Sequence, residues 1–168
     1  AIIDNTTEIT AEKFEYNKIT KILIAQGNAV GIDKLNKIKI TADKLTYDKI
    51  KLIFIANGNS KATDKLNNVT IEADELEYNK KDLIYTAKKN VKLDDISNNI
   101  FTEAEKIVYL ISEEKTFSEG KTKILTADNY TINSTDVVWL RNKNEFSSDK
   151  FTTFEDTENN FYTAEKFR

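Results

Sequence analysis

The stretch ITADKLTYDKIKLIFIANGN, residues 40–59, decides how the chain is read, because a near copy stands on each side of it. Residues 9–28 read ITAEKFEYNKITKILIAQGN, and residues 71–90 read IEADELEYNKKDLIYTAKKN. Ala11, Ala42, Ala73 and Ala104 are each 31 residues apart. Tyr16, Tyr47, Tyr78 and Tyr109 keep that step, as do Phe14, Leu45, Leu76 and Ile107. Gly27, Gly58 and Gly120 fit it too, with Lys89 in the third place. Asp33, Asp64 and Asp95 mark one shared bend, and Asn36, Asn67 and Asn98 another. Self-similarity at a period of this length is the mark of a repeat architecture.

Within one unit, Ile38, Ile40 and Ala42 alternate with Lys39 and Thr41, the period of a strand with one apolar face. Leu45 and Tyr47 are apolar on the opposite parity. A bulge or corner between Asp43 and Leu45 brings both sets to one side. The run LIFIA, residues 52–56, has strand length and reads as buried on both faces or as a seam with a neighbour. Turn residues return about every 8–12 residues, which predicts an all-β protein of many short strands. A helix over IEADELEYNK loses to this reading, because its counterparts carry Ile, Thr and Tyr and turn signals interrupt each window. The glycines at 27, 58 and 120 predict positive φ at a required bend, and the following Asn suits the same geometry. The absence of Pro fits a long hydrogen-bonded array.

The fourth copy starts at Ile100 and keeps Ala104, Tyr109 and Gly120. The spacing then changes: Gly58 precedes Ala73 by 15 residues, whereas Gly120 precedes Ala127 by 7. We expect a lost or shortened hairpin there, a divergent unit over residues 121–160, and another unit opening at Phe161. No linker is evident, so residues 1–168 read as a single domain. The start without Met and the stop within FYTAEKFR lead us to expect a segment of a longer chain.

The composition excludes several kinds of function. There is no His and no Cys, so the usual zinc and iron ligand sets and the Ser-His and Cys-His catalytic pairs are absent. We expect no enzyme and no cofactor. The net charge is −3 with both signs interspersed, which argues against a nucleic-acid partner. No apolar run approaches the ~20 residues of a helical membrane span. Asp94–Asp95 and Glu155–Asp156 lack the fixed spacing of a calcium loop. Trp139, the single Trp, reads as a core or interface anchor.

The phrase I-x-A-[DE]-x-φ-x-Y-[DN], continued by A-x-G-N (φ here an apolar residue), resembles the OstA-like module of the bacterial lipopolysaccharide-transport proteins. The resemblance covers residues 9–125 well and the remainder loosely. It implies an incomplete, twisted β-jellyroll of two facing antiparallel sheets, V-shaped in section and open at one side. It also implies a periplasmic place, attached to the outer membrane. Lipid A acyl chains then lie in the groove, and modules stack through their edge strands. The late segment FSSDKFTTFEDTENNFYTAEKFR favours the N-terminal domain of an LptD-like protein, with an outer-membrane β-barrel further along the same chain. An LptA-like bridge protein is the alternative. The absence of Cys departs from many LptD proteins, which carry it in this domain.

The candidate groove residues are Phe14, Tyr16, Ile24, Ile40, Leu45, Tyr47, Phe54, Ile71, Leu76, Tyr78, Tyr85 and Ile107. The competing reading makes them plain core, with the tyrosines as strand-end residues whose rings pack and whose hydroxyls are wet. A rival from another class is a structural or adhesive β-solenoid with a closed core. Lysines near the turns, such as Lys49, Lys80 and Lys81, read as a solvated rim.

Overall fold

The computed structural model describes residues 3–168. The chain begins with two short strands, β1 (Thr7–Thr10) and β2 (Lys13–Asn17). Seven long ones follow: β3 (Ile22–Asp33), β4 (Ile38–Asp48), β5 (Ile53–Asp64), β6 (Val69–Asn79), β7 (Ile84–Asp95), β8 (Ile100–Leu110) and β9 (Lys115–Leu125). Five short ones end it: β10 (Thr131–Thr135), β11 (Val138–Leu140), β12 (Glu145–Ser147), β13 (Thr152–Glu155) and β14 (Phe161–Ala164). All pair antiparallel with their neighbours in one meandering sheet. The all-β expectation and the 31-residue rung are therefore realised, each rung being two long strands.

Each long strand belongs to both layers of the fold. The register shifts at Gln26/Ala29, Thr41/Lys44, Asn57/Ser60 and Glu72/Glu75, and again at Lys88/Val91 and Ala104/Lys106. At each shift the inward parity changes, so that Ile38, Ile40, Ala42, Leu45 and Tyr47 of β4 are all buried. Aligned bulges bend the sheet along one line. Its two halves then face each other across an apolar interior, so the two layers are halves of one continuous sheet.

The repeat motif explains the bend. Gly27, Gly58 and Gly120 all have φ of 77–78°, and Lys89 holds the same place at 65°. The next residue, Asn28, Asn59 or Asn90, is also left-handed. Its side-chain amide donates to the acid of the A-[DE] pair on the neighbouring strand: Asn28 to Glu12 at 2.7 Å, Asn59 to Asp43 at 2.9 Å, Asn90 to Asp74 at 2.8 Å. The A-[DE] and G-N segments of the motif are thus two halves of one clamp. A Cβ at Gly58 would lie 2.5 Å from an Asp43 carboxylate oxygen. Gly58→Ala is therefore expected to lower stability by about 1–2 kcal/mol, read from urea unfolding, because left-handed strain and a displaced Asp43 act together.

Two sequence expectations change. No hairpin is missing after Gly120: β10 and β11 together form the next strand, pairing with both halves of β9. Ala127, taken as a repeat position, lies in the β9–β10 turn instead. A break at Asp136–Val137 replaces the bulge, and an Asp136 carboxylate oxygen accepts a hydrogen bond from the Gly120 amide at 2.8 Å. The run LIFIA is not buried on both faces, because Phe54 and Ala56 point inward while Ile55 is exposed on the outside. Its apolar parity is that of an ordinary one-sided strand.

Candidate functional site: the interior and its mouth

Nine of the twelve candidate groove residues share one interior. Ile40 and Ile71 come from one layer; Leu45, Tyr47, Phe54, Leu76, Tyr78, Tyr85 and Ile107 come from the other, and all nine are buried. Phe14 and Tyr16 stand on the equivalent parity of β2, yet they are 42% and 43% exposed. They lie at the N-terminal end of the sheet, where β3 is the one strand that pairs with β2 among the described residues. Ile24 is half-buried on the outer face, at the position that repeats as Ile55.

Five of the interior residues form an aromatic ladder. Ring centroids are 4.3 Å apart for Tyr47 and Phe54, 6.1 Å for Phe54 and Tyr78, 5.0 Å for Tyr78 and Tyr85, and 6.1 Å for Tyr85 and Tyr109. Neighbouring strands supply successive rings, at the spacing that favours offset and tilted pairs. The ladder stops at Leu23 on one side and Thr116 on the other. Beyond Thr116 hydroxyls enter the interior, where Thr102, Ser118 and Thr122 join Leu93, Ile107 and Ile124 around a void of about 10 Å³. Trp139 lies against that void, stacked on Phe146 at 5.2 Å.

The hydroxyls of the interior tyrosines are not wet. Those of Tyr78 and Tyr109 lie along the mouth, where the strand ends of the two layers meet, and join a polar seam, whereas those of Tyr47 and Tyr85 are buried without a hydrogen-bond partner among the described residues. The Tyr78 hydroxyl donates to Asp33 at 2.9 Å across the mouth. The Lys80 ammonium donates to the hydroxyls of Thr6 and Thr7 at 2.6 and 2.7 Å and lies 3.8 Å from Asp33. Further along, the buried Arg141 donates to Asp95, to the Tyr109 hydroxyl at 2.9 Å and to the Asn67 carbonyl at 3.0 Å. Asp33 and Asp95 are held in place by their own turns, accepting from Asn36 and Asn98 side chains at 2.7 and 2.8 Å. Among the described residues, each bond that closes the mouth involves a side chain, and no backbone pair crosses it.

Burial raises the pKa of the Tyr47, Tyr78, Tyr85 and Tyr109 hydroxyls, and nearby carboxylates add to the effect. Tyr109 is raised to about 12, with Arg141 partly offsetting burial. An unfolded phenol loses its proton near pH 10. The folded chain holds these protons more tightly, so their contribution to stability is complete below about pH 10 and is lost as pH rises towards the folded values. Thermal unfolding followed by circular dichroism is expected to show a steep fall in Tm from about pH 10 to pH 12. Tyr85→Phe, which removes one such proton without removing a hydrogen bond, should make that fall shallower.

Sequence reasoning missed Lys80 and Arg141 as seam residues, and it treated Asp33 and Asp95 as turn markers only. Asp95 does not stand open to a cation; its carboxylate is engaged by Arg141 and Asn98.

No family model matches the chain, and no curated protein matches it. Among solved structures, a similar one is the crystal structure of LptH, the LptA-homologous periplasmic component of the lipopolysaccharide-transport device of Pseudomonas aeruginosa. The two are 10% identical, the match covers 94% of this chain and 93% of that one, and the TM-score is 0.35.

Proposed function

We propose that this chain is a non-enzymatic carrier segment for lipopolysaccharide in the periplasm, taking acyl chains into its interior while the head group stays in water. The observation that carries the reading is the interior itself. The same apolar positions recur on rung after rung, and the mouth is held by side-chain bonds alone. Such a mouth opens without breaking any backbone ladder. Each CH₂ moved from water into the interior contributes about 0.8 kcal/mol, and equivalent rungs keep sliding nearly level in energy. The buried hydroxyls of Tyr47 and Tyr85 have no partner. Unpaired buried polar groups cost about 1–3 kcal/mol each, so the closed interior carries a polar cost beside its apolar rungs. The motif shared with the OstA-like module supplies the choice of lipid.

Stacking with further modules of the same kind belongs to this proposal. Phe14 and Tyr16 are exposed only because the sheet ends at β2, and β14 ends it at the other side with Phe161 and Tyr162 exposed. An added strand at either edge would cover them. Within the family, the late segment inclines us to an LptD-like N-terminal domain leading to an outer-membrane barrel, with an LptA-like bridge as the alternative. The reading as a structural β-solenoid draws on one specific observation, the near-complete burial of the nine interior candidates. A photo-crosslinking residue at Leu45 or Phe54, with Lys61 on the outer face as control, separates the two. Lipopolysaccharide labelled in its acyl chains should attach at the inner positions; attachment at Lys61 alone would leave the solenoid.

A further inference from the structure

The hairpin tips carry a second repeated pattern, which the interior does not use. On one lip of the mouth the tips read Lys18-Ile19-Thr20-Lys21 and Lys49-Ile50-Lys51; on the other they read Lys34-Leu35-Asn36-Lys37 and Lys65-Leu66-Asn67. The aliphatic residue takes the outermost corner each time: Ile19 is 90% exposed, Ile50 71%, Leu35 69% and Leu66 58%. A solvated turn has no use for a large apolar side chain at its tip. The four recur in register with the repeat, unlike singly scattered surface residues.

The tips are fixed relative to one another. On one lip the Lys49 amide donates to the Lys21 carbonyl at 3.1 Å; on the other, Lys65 donates to Lys37 at 3.3 Å. Successive tips on a lip are two strands apart, so the pattern returns about every 10 Å. The seam joins the two lips, since Lys80 reaches Thr6, Thr7 and Asp33. The charges on this face are also unlike those elsewhere. On the outer surface near the bulges, lysines pair with glutamates: Lys61 with Glu72 at 2.8 Å, Lys89 with Glu75 and Lys106 with Glu119 at 2.6 Å. At the tips, Lys34 pairs with Glu8 at 2.9 Å. Among the described residues, Lys18, Lys21, Lys37, Lys49, Lys51 and Lys65 have no ion-pair partner. The turn acids Asp33 and Asp64 are buried, where they cap their own turns, and the half-buried Asp48 accepts from the Ile50 and Lys51 amides at 2.9 Å.

We propose that this face docks on an anionic phospholipid bilayer. Ile19, Ile50, Leu35 and Leu66 enter the head-group layer, and the flanking lysines meet lipid phosphates. Lysine beside exposed aliphatic is the pairing that an anionic interface rewards twice, through charge and through apolar burial. A nucleic acid or an acidic protein would engage the lysines and leave the four aliphatic corners in water. The proposal holds whether or not the interior takes acyl chains.

The test is co-sedimentation of the whole chain with vesicles. One set is phosphatidylcholine alone; the other is equal parts phosphatidylcholine and phosphatidylglycerol. The chain should sediment with the anionic set and not with the neutral one. Each lysine near the surface contributes roughly fivefold, so Lys49→Glu with Lys51→Glu should weaken binding by more than about tenfold. Ile19→Ser with Ile50→Ser should weaken it several-fold at unchanged charge, and Leu35→Ser with Leu66→Ser repeats that test on the other lip. Five of the six side chains are exposed and Lys49 is half-buried beside the Tyr16 ring, so an unchanged melting temperature certifies each variant. Failure to sediment with anionic vesicles would overturn the proposal. So would equal binding to the neutral set, or serine variants that bind as well as the parent, which would mark a general polyanion site.

Discussion

Arg141→Ala is expected to lower unfolding stability by about 3–5 kcal/mol, because it leaves a buried carboxylate without its charge partner. Asp95 is fully buried, and Arg141 joins it to Tyr109 and to the Asn67 carbonyl in one fork. Burial alone would lower the Arg141 pKa, but the bonds to Asp95 and Tyr109 outweigh it and the guanidinium stays charged. The loss is therefore that of an unpaired anion, not of one surface contact. Urea unfolding checks it, and a second variant separates charge from packing. Removing the charge of both partners, Arg141→Met with Asp95→Asn, should recover part of the loss, since the uncompensated anion is gone and the Asn side chain keeps an acceptor for the Asn98 turn. Equal instability of the single and double variants would place the loss in packing and hydrogen bonds of the Arg141 side chain.

Phe54→Ala is expected to cost about 3–5 kcal/mol, the usual range for removing a buried aromatic ring. Phe54 stands between Tyr47 and Tyr78 in the ladder, and its ring occupies the space left by Gly31, where a Cβ would come within 2.9 Å of it. Neighbouring rings are fixed by the strand pairing and cannot close the hole. The same variant also bears on function. A ligand that enters the interior fills the cavity, so added lipopolysaccharide should restore more stability to Phe54→Ala than to the parent chain. Thermal unfolding with and without the lipid measures that difference; equal shifts would place the lipid elsewhere.

Much of the fold was legible in the sequence, and the mouth was not. The 31-residue step, the switch of parity between Ala42 and Leu45, and the G-N pair in the middle of β3 and β5 are local signals, and they became the rung, the bulge and the clamp. Outward Ile55 and Ile24 were misread, because a continuous apolar run does not state which of its residues faces in. Ala127 misled because a small residue in a turn mimics the repeat alanine, while the next strand carries Ser134, Val137 and Trp139 in the places of the repeat Ala, apolar residue and Tyr. The seam has no sequence signature at all. Asp33 and Tyr78 belong to different rungs and meet only because both layers are rolled together. Arg141 lies where the motif has already faded, so nothing in its own neighbourhood pointed to Asp95.

The central claim is that acyl chains can replace part of the packing between the layers. Intermolecular nuclear Overhauser effects between lipopolysaccharide acyl protons and the isoleucine and leucine methyl groups of a deuterated chain test it most directly. Leu45, Ile71, Leu76 and Ile107 are buried in the interior, while Ile19 and Ile50 stand at the tips of the lips. Cross-peaks are expected from acyl chains to the four interior methyl sites. Cross-peaks confined to Ile19 and Ile50, with the interior methyl groups silent, would contradict it.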